Sequence, residues 1–326
     1  MKKNIGDIFV SIACYRDPEV IPTVMDAYKK AKNPDNIIFG VYAQMGEEDD
    51  KLDFSFVRNP NQVRLLVRPN TSARGPAYAR YIIYNKLYRN ELYYLQIDSH
   101  TRFVENWDEE LIEMLGNLKA NSVISTYPKG YIMGNENLPK SKKVNVLKLK
   151  KLRKGIPILT SCVRELEKPV RNYFWAAGYS FCYGAIFKIV QFDPYLKNIF
   201  WGEEFLMSIR FFTNNIRIYT PHKNIVYTLW SRSYRHTFWE LKDKMNGKFE
   251  VYGLISFLRL CMISKICEKE IKNYDFRKVI EKIDKYGIGE KKTPEEYFSR
   301  TNIDSLLEKE NYKKIISDIY FSLKLK

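Results

Sequence analysis

The sequence predicts an α/β protein with a Rossmann-like beginning, and three consecutive segments near the amino terminus carry this prediction. Residues 8–13 are a nearly continuous apolar run, which is typical of a central strand in a parallel sheet. Asp17 and Pro18 then indicate a helix N-cap with proline in the first helical position, and we predict a helix from there to about residue 31. Residues 36–44 follow as a second strand. A strand, a helix and a strand joined by a right-handed crossover begin a parallel sheet.

The composition is that of a globular chain with an excess of positive charge. The 326 residues are 45% apolar and 15% aromatic, enough for one large α/β domain and a smaller appendage. Lys and Arg outnumber Asp and Glu by 54 to 38, and the net charge of +16 favours an anionic partner such as a nucleotide diphosphate, an acidic protein or a membrane surface. A compositional bias of the genome explains the excess equally well. No nucleic-acid-binding signature accompanies the charge, so we expect no nucleic-acid partner.

The cysteines and the apolar runs bear on the compartment. Five cysteines, an odd number without CxxC spacing, argue against a disulfide framework or a zinc site. Asp7 interrupts the apolar run at the amino terminus and no small-residue cleavage site follows, so we interpret the run as a strand and not as a signal peptide. No run reaches the roughly 18 to 20 apolar residues of a membrane span. We therefore expect a cytoplasmic protein without a membrane span, with contact to a membrane surface left open.

The segment before the centre of the chain carries two arginines of interest. A third strand is predicted at residues 63–67, and residues 71–80 form a turn that runs into a helix. No GxGxxG follows the first strand, which disfavours a nicotinamide or flavin enzyme. Arg74 and Arg80 are candidates for contacts with a phosphate or a uracil edge, because helix amino termini favour anions. The alternative is that both are solvated helix arginines.

The central stretch is an apolar strand that ends in an acid and an imidazole. Residues 93–97 are predicted as a buried strand, and Asp98, Ser99 and His100 follow it directly. Open α/β sheets place ligands at the carboxyl ends of such strands. One carboxylate and one imidazole favour a borderline divalent cation such as Mn²⁺, and two protein ligands leave positions open for a diphosphate. Asp-x-His alone is a weak signal, and the strand before it strengthens the prediction.

Three later segments have two interpretations each. Residues 140–154 hold eight basic residues and no acid, which fits an exposed hairpin or edge strand guarded by lysines, or a contact with an acidic acceptor or a lipid surface. Residues 174–181, which include Gly178, are rich in aromatic and small residues, as in the wall of a sugar site or in a packed core. Residues 201–204, Trp-Gly-Glu-Glu, open a helix whose paired acids either complement the helix dipole or hold hydroxyl groups.

Further helices and strands complete the predicted order. A helix begins near Asn106, and an apolar helix spans residues 251–266. A capping box at Thr293 opens a terminal helix. Further strands are predicted at residues 122–127, 216–219 and 225–230. We predict a sheet domain over residues 1–240 and a helical extension over residues 241–326 that packs on it.

Taken together, these motifs resemble one known family along nearly the whole chain. The matching segments are IFVSIACYRDPE, ARGPAYARY, YYLQIDSHTRF, WDEELI, residues 175–181, WGEE and YGIGEKKTPEEY. Their order is similar to that of the polypeptide-hydroxyproline N-acetylglucosaminyltransferases (glycosyltransferase family 60), which modify a cytosolic ubiquitin-ligase adaptor. That family is similar in turn to the polypeptide N-acetylgalactosaminyltransferases, which use an Asp-x-His motif in a GT-A fold. The resemblance implies a GT-A fold, a UDP-sugar donor (most often UDP-GlcNAc), Mn²⁺ or Mg²⁺, and transfer to a protein or glycan hydroxyl with retention of configuration.

Carried over by position, the resemblance implies a role for each matching residue. Asp98 and His100 would hold the metal against the diphosphate. Glu203 and Glu204 would act in catalysis, facing the sugar and the acceptor, without serving as a covalent nucleophile. The positions that would bind the donor are Ala13, Tyr15, Arg16, Arg74, Arg80, Asp98, Ser99, Gly178, Trp201 and Gly202.

One position departs from the family. Its members place a histidine, the third metal ligand, in the strand after WGEE, where this chain has Thr228. His222 and His236 lie six residues before and eight residues after it, and so large a strand shift is hard to make. We expect a two-ligand metal completed by water, or weakened use of metal. The main hypothesis is a metal-dependent retaining glycosyltransferase, and the alternative is a catalytically weakened nucleotide-sugar-binding or glycan-binding protein with a transferase fold.

Overall fold

Strands and helices alternate through the first two thirds of the chain, and helices follow. The computed structural model describes residues 8–135, 137–245, 247–274 and 277–324. The strands are β1 (Ile8–Tyr15), β2 (Ile37–Met45), β3 (Val63–Pro69), β4 (Tyr93–Asp98), β5 (Thr101–Phe103), β6 (Ser122–Ser125), β7 (Lys129–Gly130), β8 (Lys143–Arg153), β9 (Ile156–Glu165), β10 (Val170–Asn172), β11 (Tyr179–Tyr183), β12 (Arg217–Thr220) and β13 (Val226–Thr228). The helices are α1 (Val20–Lys30), α2 (Pro76–Lys86), α3 (Trp107–Gly116), α4 (Ile186–Ile189), α5 (Glu203–Thr213), α6 (Leu241–Lys244), α7 (Lys248–Ser264), α8 (Glu268–Lys272), α9 (Arg277–Ile280), α10 (Ile283–Tyr286), α11 (Pro294–Thr301), α12 (Asp304–Leu307) and α13 (Tyr312–Lys324).

The large sheet is mixed and has the strand order β10-β12-β6-β11-β4-β1-β2-β3. The run from β4 to β3 is parallel, whereas β11 is antiparallel to both of its neighbours and β10 is antiparallel to β12. All residues of β1 are buried except Ala13 and Tyr15, as its apolar sequence predicts for a strand covered on both faces. Ala13 pairs with Asp98 at the carboxyl ends of β1 and β4, so side chains that follow the two strands meet at one edge.

Two smaller sheets flank this edge. β13 lies between β5 and β7, and it pairs Thr228 with Thr101. β8, which lies in the basic segment, forms a two-stranded hairpin with β9, which follows that segment; Val144 and Leu147 are buried and Lys148 is exposed. The predicted exposed hairpin is therefore confirmed. The helices in the described ranges include none long and apolar enough to cross a membrane.

The carboxyl-terminal helices share a hydrophobic cluster with the sheet. Phe205 and Ile209 of α5 belong to the same buried cluster as Leu258 and Leu260 of α7 and Tyr297 of α11. The cluster continues to Leu159 of the hairpin and Ile316 of α13. A division of the chain at residue 240 stays a prediction.

Two predicted helix ends differ from the structure. α1 begins at Val20 with Glu19 as its N-cap, so the N-cap predicted at Asp17 is wrong by two residues. The Asp17 carboxylate accepts the Glu19 N–H at 3.1 Å, but it is turned mainly toward other groups described below. Thr293 caps α11 as predicted, because its Oγ1 accepts the Glu296 N–H at 3.1 Å. The helix is not terminal, since α12 and α13 follow it.

Candidate active site

A cavity of about 400 Å³ opens at the carboxyl ends of β1 and β4, beside the start of α5. Open α/β sheets hold their ligands at this edge. Eleven of the thirteen residues predicted for the site line the cavity, and only Arg16 and Arg74 do not. The eleven are Ala13, Tyr15, Arg80, Asp98, Ser99, His100, Gly178, Trp201, Gly202, Glu203 and Glu204.

Asp98 ends β4 with its carboxylate one third exposed to the cavity. Arg80 of α2 lies 3.6 Å from Asp98 (Nη2 to Oδ1) and donates to Glu203 Oε2 at 2.6 Å. Gly178 approaches from β11 so closely that a Cβ there would lie 2.7 Å from Asp98 Oδ2. Arg80 is thus engaged with two carboxylates, and the groups around Asp98 fix the direction in which its free oxygen faces the cavity.

His100 is held from behind by a buried acid. Its Nδ1 lies 2.8 Å from Asp17 Oδ2, which also accepts a hydrogen bond from Ser99 Oγ at 2.6 Å. Burial opposes ionisation of Asp17, but the hydrogen bond with His100 and the charge of Arg235 keep the pKa of the carboxyl below its usual value. With Asp17 ionised, Nδ1 carries the proton and the Nε2 lone pair is free. This carboxylate-imidazole arrangement is the one that orients histidine ligands of metals.

The position of the expected third ligand lies next to this pair but outside the cavity lining. The N–H of Leu229 donates to the carbonyl of His100 at 3.0 Å, which places Thr228 beside it in the sheet. Thr228 Oγ1 is buried and has no hydrogen-bond partner. Neither His222 nor His236 lines the cavity. In the part of the chain that the structure describes, no group of three or more His, Cys, Asp or Glu is arranged to hold a metal.

Asp98 and His100 nevertheless fit a divalent cation that takes its other ligands from a diphosphate and water. They supply one hard oxygen and one borderline nitrogen, which suits Mn²⁺ and permits Mg²⁺. The hydrogen bond from His100 to Asp17 gives the nitrogen ligand its outer support.

The two acids at the start of α5 differ in their environments. Glu203 is buried and paired with Arg80, as described above. Glu204 accepts hydrogen bonds from Tyr127 Oη at 2.5 Å and from the Ala177 N–H at 3.0 Å, and burial raises the pKa of Glu204 to about 7. Glu203 is therefore held by an ion pair, whereas Glu204 changes its protonation near neutral pH.

Arg16 and Arg74 do not reach the cavity. Arg16 has a backbone φ of 45°, and its buried side chain is turned toward Asp49, Glu48 and Glu240. Arg74 donates to the backbone carbonyls of Thr71 and Ala73, at 3.1 and 2.7 Å. Their predicted contacts with the donor stay a prediction, and both side chains would have to leave these partners to make them.

Comparisons with known proteins identify the family and the fold. A family model, GlcNAc: Glycosyltransferase (GlcNAc), matches residues 7–54 and 51–306. The chain belongs to this glycosyltransferase family. It is similar to a crystal structure of GalNAc-T7 with UDP, GalNAc and Mn²⁺, with a TM-score of 0.61 and 12% identity over 93% of this chain and 58% of that chain. It is also similar to a crystal structure of S. aureus TarS 1-349, with a TM-score of 0.47 and 15% identity over 86% of this chain and 89% of that chain. No curated protein matches it.

The glycosyltransferase therefore has the GT-A fold that the resemblance implied. The chain spans 58% of the length of the GalNAc-T7 chain it matches. Segment 174–181 contributes to the packed core and to the cavity wall, and its contact with a sugar stays a prediction. Trp175 and Phe181 are buried in the core, whereas Ala177 and Gly178 line the cavity of the glycosyltransferase.

Sequence reasoning missed several residues around the cavity of the glycosyltransferase. Tyr127 and Asp17 contact predicted site residues directly, and Glu240 accepts a hydrogen bond from Tyr15 Oη at 2.6 Å. The only sequence signal for Glu240 is its place in the aromatic run His-Thr-Phe-Trp-Glu. Five aromatic residues form a rim around the cavity, and only Trp201 among them was predicted as a site residue. This aromatic rim consists of Phe200, Trp201, Trp230, Phe238 and Trp239.

Proposed function

We propose that this glycosyltransferase transfers a sugar, GlcNAc, from a UDP-sugar to a hydroxyl group of a protein or glycan acceptor, with Mn²⁺ or Mg²⁺ as cofactor. The observation that carries the proposal is the pair formed by Asp98 and His100 on the wall of the cavity, with His100 fixed through Nδ1 by buried Asp17. A pair so oriented is prepared for a cation, and the cavity beside it has room for a nucleotide sugar.

Two comparisons support the choice of donor and cation. The family name specifies GlcNAc, and the GalNAc-T7 structure contains UDP and Mn²⁺. A hydroxyproline of a cytosolic protein as the acceptor, membership of glycosyltransferase family 60 and a cytoplasmic location are further parts of the proposal, which rest on the resemblance. All five cysteines are free, in keeping with a reducing compartment.

The residues of the cavity divide the work of such a reaction. Bound Mn²⁺ or Mg²⁺, held by Asp98 and His100, would act as a Lewis acid that stabilises the leaving UDP. Arg80 holds the carboxylates of Asp98 and Glu203 in place. The aromatic rim offers flat apolar faces to a sugar ring and excludes water from it. Glu204 has a pKa of about 7, so it can accept a hydrogen bond from a sugar or acceptor hydroxyl or donate one to it.

A second candidate function is binding of a nucleotide sugar or a glycan without efficient transfer. The observation that favours it is Thr228, whose hydroxyl is buried at the position where the family has its third metal-binding histidine. A cation with only two protein ligands is held more weakly, and transfer would slow accordingly.

Release of UDP from a panel of UDP-sugars, without acceptor, separates the two functions. We expect slow hydrolysis of UDP-GlcNAc in Mn²⁺ that stops when the cation is chelated. Asp98→Asn should abolish it. Glu110→Gln, which changes a carboxylate paired with Lys223 on the surface, is the matched control and should keep the wild-type rate. Hydrolysis unaffected by chelation would rule out the metal role, and UDP binding without turnover of any donor would favour the second function.

A further inference from the structure

A second cavity, of about 310 Å³, lies at the opposite end of the sheet from Asp98. Arg217 begins β12, which runs parallel to β6, and β6 and β4 are both antiparallel to β11. β12 and β4 therefore point the same way, so Arg217 stands at the amino-terminal edge and Asp98 at the carboxyl-terminal edge. No residue lines both cavities.

Five cations line this second cavity, and no carboxylate does. They come from separate parts of the chain and are Lys119, Arg171, Arg217, Lys292 and Arg300. We call this set the basic cavity. Within the ranges that the structure describes, an ion pair is present only for Arg300, with Glu296 at 3.0 Å on the exposed surface of α11. The other four cations are left without a carboxylate.

Arg171 is the residue whose environment is least satisfied. Its Nη1 is buried without a hydrogen-bond partner among the described residues. Burial lowers the pKa of Arg171, and the charges of Arg217 and Arg300 add to the effect. A partly buried guanidinium whose Nη1 has no partner is unfavourable, and an anion that enters the cavity relieves both the missing hydrogen bond and the repulsion.

Aromatic rings hold the cations in position. Arg171 lies 5.6 Å from the ring of Tyr173 and 5.9 Å from that of Tyr219, which is its cross-strand partner on β12. Lys292 lies 4.6 Å over Phe212, and its backbone N–H bonds to the carbonyl of Thr213 at 3.2 Å. These contacts orient the side chains before any ligand arrives, which lowers the entropy lost on binding.

We propose that the basic cavity is a second ligand site, separate from the donor cavity, and that it binds a compact phosphate-bearing anion such as a phosphate monoester or a diphosphate. Three arginines in one cavity match the paired oxygens of a phosphate, which a guanidinium binds through two parallel hydrogen bonds. A single carboxylate carries too little charge to balance five cations. A nucleic acid is favoured less, because the five cations converge on one cavity instead of following an extended groove.

Pyrophosphate titrated into the full-length protein by calorimetry, with chelator present and at about 0.15 M salt, tests the site. We expect saturable binding to one site. Arg171→Gln combined with Arg217→Gln should weaken it at least tenfold, since each change removes a charge-assisted hydrogen bond to the anion. Asp98→Asn should leave it unchanged. A change of affinity in Asp98→Asn, in either direction, would place pyrophosphate in the donor cavity and overturn the proposal.

A matched control separates the site from the net charge. Lys148→Gln combined with Lys150→Gln removes the same two charges from the exposed face of the hairpin. An equal loss of affinity in this control would show that only the +16 charge attracts the anion, which overturns the proposal. Retained binding in the control supports it. Arg300→Gln changes a residue on the exposed face of α11 and should also weaken the binding of pyrophosphate. This variant provides the same test if the double arginine variant does not fold. Duplex DNA that binds more tightly than pyrophosphate, through the same arginines, would overturn the choice of ligand.

Discussion

At the scale of single residues, the proposed pair of metal donors, Asp98 and His100, depends on Asp17. The carboxylate bonds to His100 Nδ1 and Ser99 Oγ, at 2.8 and 2.6 Å, and it is fully buried. Asp17→Asn keeps the shape of the side chain but removes the charge that orients the imidazole of His100. We expect affinity for Mn²⁺ to fall by about 10- to 100-fold, the usual effect of losing such an outer partner. The Mn²⁺ concentration that gives half-maximal hydrolysis of a UDP-sugar, together with free Mn²⁺ measured by electron paramagnetic resonance, checks this.

The neighbouring Glu19 provides the control for Asp17. Its carboxylate pairs with Arg102 at 2.5 Å and accepts from Tyr131 Oη at 2.8 Å, without contact to His100. Glu19→Gln should leave the Mn²⁺ dependence unchanged. If both variants lost affinity equally, the effect would come from general weakening of this region and not from the support of His100.

Glu204 gives the stability of the fold a dependence on pH. Burial raises its pKa to about 7 from a usual 4.5, so the native state binds more protons than the unfolded chain between these values. The contribution of Glu204 to stability is therefore greatest below pH 4.5, and it falls as the pH rises to 7. Each unit of pKa shift corresponds to roughly 1.4 kcal/mol in the free energy of unfolding, so the full effect is about 3 kcal/mol. Solvent screening reduces this value, because the Glu204 side chain opens onto the cavity.

Glu204→Gln should remove this slope. We expect the variant and the wild type to be about equally stable at pH 4.5 and the variant to be the more stable at pH 8. Urea unfolding at a series of pH values measures the difference. A difference that stays constant across this range would mean that Glu204 ionises normally in the folded protein.

At the scale of elements, the turn into α5 depends on Gly202. Its φ of 103° is rarely adopted by residues with a side chain, and a Cβ there would lie 2.4 Å from Leu260 Cδ1 and 3.1 Å from Ile156 Cγ2. We expect Gly202→Ala to destabilise the protein by about 1 to 3 kcal/mol, the range for local backbone strain. It should also slow donor hydrolysis, because Glu203 and Glu204 begin the helix that shifts.

Gly116 at the end of α3 is the matched control for Gly202. No atom lies within 4 Å of a Cβ built there, and its φ is not positive. Gly116→Ala should raise stability by about 0.4 to 1 kcal/mol, since it restricts only the unfolded chain. Urea unfolding of both variants measures the two effects, and wild-type stability in Gly202→Ala would refute the argument from strain.

The central strands could be predicted because their signals are local. Residues 8–13 and 93–97 are apolar runs that only a strand covered on both faces buries, and the structure extends them to Ile8–Tyr15 and Tyr93–Asp98. The short strands β5, β7 and β10 were not predicted, because two or three residues carry no period and their pairing is decided by distant partners. The N-cap of α1 was wrong because Asp17 bonds to His100, eighty-three residues away, and not mainly to its own helix.

The same contrast holds for the site. Asp98 and His100 could be singled out, since they end a predicted strand and lie two residues apart. Arg16 could not be placed, because its position follows from a left-handed backbone and from three acids, Glu48, Asp49 and Glu240, that only the tertiary fold brings together. Long-range pairs of this kind carry no local pattern.

At the scale of the whole molecule, the carboxyl-terminal helices complete the core that positions α5. Arg259 of α7 forms an ion pair with Asp193 at 2.6 Å, and both side chains are fully buried. The Nη1 of Arg259 donates to the carbonyls of Val279 and Glu281. Leu260, beside it on the helix, packs against the turn at Gly202. Residues beyond 240 therefore satisfy charges and fill space that the sheet portion leaves open.

A fragment of residues 1–240 should consequently fail to fold cooperatively. In this fragment Asp193 would lack the cation that balances its charge. The face of α5 that packs on Leu258 and Leu260 would also be exposed. In the full chain, Arg259→Met should destabilise by about 3 to 5 kcal/mol, as when one partner of a buried ion pair is removed. Near-ultraviolet circular dichroism with urea unfolding checks both. Arg300→Met, at an exposed ion pair, is the control and should change stability by less than about 1 kcal/mol. A fragment with a native near-ultraviolet spectrum and a cooperative transition would instead make residues 241–326 an appendage that the transferase fold does not need.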